Sequence, residues 1–205
     1  ILESYTLGAC YIDLITFGQT GVGGDFSGTV LTVDSTDYGV SALPKTFAWV
    51  HGTTHSFEYH SPLAVSADKQ YVWISTTGGI TTDRSGTITA TKDGDVTGNY
   101  RTERRPVAEA GGPYGSDEGS PITFDASGSS DSDGDPLQYR WDFNNDGTWD
   151  TGWSSSPTES YTWCDDFSGT AKVEVSDGIL TSIDTAPVTV NNVEPCLLYT
   201  SDAAD

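Results

Sequence analysis

Short runs rich in β-branched and aromatic residues recur along the whole chain, separated by clusters of Gly, Asp, Ser and Pro. This texture is typical of all-β sandwiches and barrels, in which short strands are joined by turns. No window of useful length repeats apolar residues with the period of a helix. The sequence therefore predicts an all-β protein, and its 205 residues allow one or two domains.

Two segments of the second half, residues 137–143 and 169–176, alternate apolar and polar side chains. Because successive side chains of a strand point to opposite faces, each segment predicts a half-buried strand. The residues expected to face inward are Tyr139, Trp141, Phe143, Ala171, Val173 and Val175, and those expected to face outward are Gln138, Arg140, Asp142, Lys172 and Glu174. Apolar pairs at 122 and 124 and at 188 and 190 predict two further strands.

The first half predicts seven strands, near residues 11–17, 29–34, 46–50, 55–59, 70–76, 86–91 and 95–102. The stretch TERRP at 102–106 then ends in a proline, which disfavours continuing a strand ladder. We therefore place a domain boundary at about residue 105. The prediction is two tandem immunoglobulin-like β-sandwiches over 11–104 and 105–194, preceded at 1–10 by the end of another module or a linker.

The charge of the chain is strongly unbalanced, with 30 acidic and 9 basic residues and a net charge of -21. This excess argues against binding to nucleic acid or to anionic membranes, both of which require a cationic surface. It fits a partner that is itself a cation. No apolar run approaches the roughly 18 residues of a membrane-spanning helix.

The ends of the chain indicate a fragment. The sequence has no methionine, and its last ten residues, Cys196–Asp205, resemble one reading frame of a common sequencing adapter. We therefore expect residues 195–205 to be a non-native tail, the alternative being a natural polar terminus. Without the tail two cysteines remain, Cys10 and Cys164, which we expect to be free or buried thiols rather than a disulfide.

Two acidic loops stand out in the second half. In the first, Asp131, Asp133 and Asp135 alternate around Gly134, so their oxygen atoms can converge on one point. The second matches several ligand positions of an EF-hand loop, but position twelve is Trp153 instead of a glutamate, and its flanks predict strands rather than helices. The matching residues are Asp142, Asn144, Asp146, Gly147, Thr148 and Asp150.

We predict that these loops hold a structural calcium ion, because calcium in proteins takes about six to eight oxygen ligands. The alternative is that the Asp and Gly residues only form turns. A catalytic role is not expected, because acids grouped in polar, glycine-rich loops stay ionised, whereas a glycosidase needs one carboxyl group with a raised pKa.

Trp149 and Trp153 flank the second acidic loop. If they are exposed, they can stack on sugar rings; alternatively they cover the loop against the sandwich, since large aromatic side chains are mostly buried. Three other tryptophans, Trp49, Trp73 and Trp141, lie in predicted strands and are expected in the cores. The histidines, His51, His55 and His60, are expected at exposed or hairpin-edge positions, because His55 and His60 point to opposite faces of a strand and cannot share a zinc ion.

The second half resembles the PKD domain, named for polycystic kidney disease protein. The resemblance covers about residues 106–193 and rests on PVAEAGGPY, EGSPITFDASGSSDSDGDPL, RWDF and GTAKVEVSDG, in the order the family has them. The stretch YTWCDDFSG departs from the family pattern. The first half, through THSFEYHSPL, KQYVWISTTGGITTDRSGTIT and VTGNY, resembles a β-sandwich repeat of archaeal and bacterial surface proteins.

These resemblances imply a segment of a large secreted or cell-surface protein built from many modules. We expect a non-catalytic spacer or adhesion segment, stabilised by calcium, whose partners are the other domains of its own chain. The alternative is an accessory module of a secreted hydrolase that binds carbohydrate or a cell-surface protein.

Overall fold

The computed structural model describes residues 11–193. Within this range the regular elements are β-strands and one 3-10 turn at Val40–Ala42, which confirms the predicted all-β class. The same range contains no helix long and apolar enough to cross a membrane. The predictions for residues 1–10 and for the tail at 195–205, with Cys10 and Cys196, lie outside the described residues.

The chain divides into two compact units between Arg104 and Arg105. The described part of the first unit has nine strands: β1 (Ile12–Thr20), β2 (Thr29–Val33), β3 (Thr36–Gly39), β4 (Lys45–Val50), β5 (Thr54–Tyr59), β6 (Leu63–Ala64), β7 (Lys69–Thr77), β8 (Ser85–Thr89) and β9 (Gly94–Arg104). They form a five-stranded sheet in the order β4-β1-β9-β7-β6 and a four-stranded sheet in the order β3-β2-β5-β8.

The two sheets of the first unit share one apolar core. Phe17 of β1 and Val96 of β9 pair in parallel, and both are fully buried together with Val30 and Tyr59 of the other sheet. The single proton of the Tyr59 hydroxyl is shared between the carbonyl oxygens of Gly18 and Val96, at 2.7 and 2.8 Å. A buried phenol thus keeps its polar atom satisfied while its ring fills the space between the sheets.

Two strands of the first unit were not predicted. The two-residue β6 is too short to give a pattern, and β3 has a polar sequence. β3 exists because Asp34 and Ser35 both adopt positive φ angles, 46° and 65°, which form the tight two-residue turn that returns the chain beside β2.

The described part of the second unit has six strands: β10 (Tyr114–Asp117), β11 (Pro121–Asp125), β12 (Gln138–Asp142), β13 (Thr158–Thr162), β14 (Phe167–Ser176) and β15 (Thr181–Asn191). One sheet has the order β10-β15-β14-β12, and β11 pairs with β13 in a second sheet. In the described residues the first half therefore has nine strands where seven were predicted, and the second half has six where four were predicted. The sequences of β10 and β13 do not predict strands, because their side chains are exposed or half-buried and show little apolar alternation.

The core of the second unit follows the predicted alternation. Trp141 and Val173 are fully buried, and Phe124 of the second sheet packs against the Trp141 ring with centroids 5.3 Å apart. Trp49 of the first unit is buried as predicted, and Trp73 is partly buried against that core.

Two residues of the predicted outward face are in fact buried. Asp142 is completely inaccessible and Glu174 is 8% exposed. The alternation of the strands is correct, but the loop after β12 folds over Asp142, and the side chain of Arg140 pairs with Glu174. Alternation distinguishes the two faces of a strand but does not say what later covers the outer one.

Cleavage of the chain between Arg104 and Arg105 is expected to yield two pieces that each fold alone. Each described unit has its own apolar core, and neither core contains a residue of the other unit. The near-ultraviolet circular dichroism of the two pieces should add up to the spectrum of the uncut chain. A piece without a near-ultraviolet signal would show that its core requires the other unit.

Candidate functional site

The first acidic loop is organised around Asp131. Its Oδ1 atom accepts hydrogen bonds from the backbone N–H groups of Asp133 and Asp135, at 2.9 and 3.1 Å. Its Oδ2 atom is buried and has no hydrogen-bond partner within the described residues. Removing an ionised carboxylate oxygen from water without a partner costs free energy. This atom can therefore still accept a hydrogen bond or bind a cation.

The second acidic loop is organised around the buried carboxylate of Asp142. Its Oδ1 accepts the N–H of Asp146 at 3.2 Å, and its Oδ2 accepts the N–H of Gly147 at 3.0 Å. The Lys172 ammonium, on the neighbouring strand β14, lies 2.7 Å from the same Oδ2. Asp142 and Lys172 face each other in the antiparallel register of β12 and β14, which explains how the ammonium reaches the loop.

The other acidic side chains of this loop also bind backbone groups. Asn144 Oδ1 accepts the N–H of Asp146 at 3.2 Å, and Asp150 Oδ2 accepts the N–H of Phe143 at 2.7 Å. Asp146 Oδ1 accepts the N–H of Thr148 at 2.8 Å, and this hydrogen bond is the main reason why the pKa of Asp146 lies below its usual value. A depressed pKa keeps this carboxyl group ionised and makes it a poor general acid.

Within residues 11–193 no group of three or more His, Cys, Asp and Glu side chains stands close enough to hold a metal ion. The seven predicted ligand residues remain in two separate loops. The hydrogen bonds described above are accepted by the side chains of Asp131, Asp142, Asn144, Asp146 and Asp150. The histidines have separate polar partners: His51 with Asp13 at 3.0 Å, His55 with Asp34 at 2.6 Å and His60 with Thr32 at 2.7 Å. Cys164 is an exposed free thiol.

Trp149 and Trp153 both make cation–π contacts with the guanidinium group of Arg140. The Arg140 Cζ atom lies 4.2 Å from the centre of the Trp149 ring and 4.6 Å from that of Trp153. Arg140 also pairs with Glu174, its Nε atom being 2.6 Å from Glu174 Oε2. The Trp149 ring is in addition 4.6 Å from the Lys172 ammonium, so it covers both cations.

The two tryptophans differ in their exposure. Trp149 is partly buried and covers the acidic loop and its Lys172 partner, whereas Trp153 stays 41% exposed. Sequence reasoning missed Arg140, Lys172 and Glu174 as parts of this site. The distribution of charge could have identified two of them. Arg140 and Lys172 are two of the chain's nine basic residues, and they lie on adjacent strands beside its densest acidic stretch.

Residues 103–190 match the family model of the PKD domain. The second unit contains nearly all of this match, and we refer to it below as the PKD domain. The predicted resemblance is thereby confirmed for this unit, and both acidic loops belong to the PKD domain. The resemblance of residues 11–104 to surface-protein repeats stays a prediction.

Two solved structures are similar to parts of the chain. One is a structure of carbohydrate-binding modules "from the beta-sandwich super family", with 30% identity over 44% of this chain and a TM-score of 0.39. The chain covers 36% of that structure's length. The other is a tandem of titin immunoglobulin domains, with 10% identity over 90% of this chain and 96% of its own, and a TM-score of 0.31. No curated protein sequence matches the chain.

Replacement of the Lys172 ammonium is expected to destabilise the PKD domain. Lys172→Met keeps most of the side-chain length but leaves Asp142, which is 0% exposed, as a buried carboxylate without its cation. Removing one partner of a buried ion pair costs about 3 kcal/mol or more. Urea unfolding followed by the NMR signals of the second unit should show this loss.

Lys92→Met is the matched control, because Lys92 is exposed in the turn before β9. Its unfolding midpoint should stay within error of the unmodified chain. Equal midpoints for both variants would contradict a stabilising role of the Lys172 ammonium.

Proposed function

We propose that this chain is a non-catalytic segment of a secreted or cell-surface protein, where it acts as a spacer or adhesion segment between functional modules. The observation that carries this proposal is the arrangement of two compact β-sheet units in tandem, one of them a PKD domain, each with its own core. Units that fold independently can be joined in series without depending on their neighbours.

The chemistry of the acidic residues supports a non-catalytic role. The carboxylates of Asp131, Asp142 and Asp146 accept backbone hydrogen bonds within their loops. The lowered pKa of Asp146 keeps it ionised. Groups held in this way organise turns and do not transfer protons.

A length-matched exchange in the parent protein tests the spacer function. Replacing residues 11–193 by two unrelated β-sandwich domains should preserve the parent protein's activity or cell attachment, whereas deleting the segment should impair it. Loss of function in the exchanged protein would instead indicate that the surface of this segment makes a specific contact.

We further propose that calcium stabilises the PKD domain through the first acidic loop. The supporting observation is the buried Asp131 Oδ2 atom, which has no hydrogen-bond partner within residues 11–193. In the second loop the Lys172 ammonium already neutralises Asp142. A lysine and a divalent cation compete for the same carboxylate, so the first loop is the better candidate.

Calcium is therefore expected to raise the melting temperature of the second unit. A ligand that binds only the folded state stabilises it by about 2.7 kcal/mol at a hundredfold excess over its Kd. Extracellular modules bind calcium with Kd values of roughly 10⁻⁴ to 10⁻³ M, so the melt is compared in 10 mM calcium, 10 mM magnesium and EDTA. Magnesium should substitute poorly because it dehydrates reluctantly.

Two matched variants locate the ion. Asp131→Asn retains the Oδ1 acceptor for the two backbone N–H groups but removes the charge, and it should abolish the calcium response. Asp146→Asn retains the acceptor for Thr148 and should leave the response intact. Identical melting in calcium and EDTA would refute calcium binding, and loss of the response only in Asp146→Asn would move the ion to the second loop.

A second function, that of a carbohydrate- or protein-binding accessory module of a secreted hydrolase, is supported by the exposed indole of Trp153. The neighbouring modules of the parent protein distinguish the two functions. Repeated domains with a surface anchor favour the spacer, and an adjoining protease or glycosidase favours the accessory module.

A further inference from the structure

A row of side chains crosses the outer face of the four-stranded sheet of the PKD domain. Arg140 of β12 faces Glu174 of β14, and Glu174 faces Ile183 of β15 in the antiparallel register. Trp153 lies over the Arg140 guanidinium at the β12 end of the row. Two strand spacings, about 10 Å, separate Arg140 from Ile183, which is a distance that a disaccharide can span.

The row combines exposed apolar surface with free hydrogen-bonding groups. Trp153 is 41% exposed and Ile183 is 57% exposed. Between them, Arg140 uses Nε and Nη2 to bind Glu174 Oε2. The remaining Arg140 Nη1 and Glu174 Oε1 atoms make no hydrogen bond within residues 11–193, and the two side chains keep 27% and 11% of their surface exposed, which leaves one donor and one acceptor between two apolar surfaces.

Two ion pairs lie on this face of the sheet. Arg140 is paired with Glu174 and Lys172 with Asp142, whereas the chain carries a net charge of -21. An anionic ligand would be repelled by the protein as a whole. A cationic ligand would find the carboxylates of this face already neutralised. The complementary ligand is therefore uncharged.

The Trp153 ring is also held in place. Its cation–π contact with Arg140, whose own position is set by Glu174 and by the Trp149 ring, restricts the rotamers of Trp153 before any ligand arrives. A side chain that is already ordered loses little conformational entropy on binding, so an exposed ring of this kind suits a ligand that makes few contacts.

We propose that this row is a binding site for an uncharged saccharide. The apolar face of a pyranose ring stacks on the Trp153 indole, its hydroxyl groups bind Arg140 Nη1 and Glu174 Oε1, and a second ring contacts Ile183. Aromatic rings and hydrogen-bonding side chains together match a sugar, which has apolar C–H faces and polar edges. This inference rests on the second function proposed above and does not depend on the spacer function.

Affinity electrophoresis of the full chain tests the proposal. The gels contain one of three neutral polysaccharides, a β-1,3-glucan, an arabinoxylan or a galactomannan, or the anionic alginate. At least one neutral polymer should retard the chain, and alginate should not. Because no net charge is involved, the retardation should be the same at low and high salt.

Trp153→Ala should weaken the retardation about tenfold, which corresponds to the loss of one aromatic stacking contact. The matched control is Tyr11→Ala, which removes an aromatic side chain that is 71% exposed in the first unit and should have no effect. Ile183→Thr, which keeps a β-branched side chain at an exposed position of β15, should weaken retardation several-fold even if Trp153→Ala disturbs the fold.

The absence of retardation by all three neutral polymers would overturn the proposal. Equal retardation of the unmodified chain, Trp153→Ala and Ile183→Thr would also overturn it, because the sugar would then bind elsewhere. The spacer function is tested separately by the length-matched exchange, so either result leaves that test unaffected.

Discussion

The buried contact between the Asp142 carboxylate and the Lys172 ammonium organises the outer face of the PKD domain. Asp142 ends β12, and its two oxygen atoms bind the backbone of the following loop. The Lys172 ammonium compensates the charge that this burial would otherwise leave isolated, at 2.7 Å. Because the Asp142 carboxylate is completely removed from water, it cannot lose its cation without a large penalty.

The contact has consequences beyond the loop itself. The loop leads directly to Trp149, whose ring makes cation–π contacts with both Lys172 and Arg140. Arg140 in turn supports Trp153. A chain of ionic and cation–π contacts therefore runs from the buried carboxylate to an exposed indole, and each contact restricts the side chain that the next one needs.

The two acidic loops differ in how the charge of their buried carboxylate oxygen atoms is compensated. Both use a leading aspartate to bind the N–H groups of the residues that follow it. The second loop contains an internal cation, Lys172. In the first, Asp131 Oδ2 is buried without a hydrogen bond in the described part of the chain. This difference, and not the number of aspartates, separates the two loops as candidates for a metal.

The sequence by itself determined the all-β class, the apolar faces of β12 and β14 and the position of the PKD domain. These features depend on local alternation and on motifs that lie together in the chain, as with Tyr139 and Trp141. β3 and β13 were not predictable in this way, since β3 depends on a turn with two positive φ angles and β13 on pairing with β11.

The tertiary structure alone decided the roles of Asp142, Lys172, Arg140 and Glu174. These residues meet across strands that are about 30 residues apart in sequence, and a pattern within one strand carries no information about the charge that a neighbouring strand places opposite it.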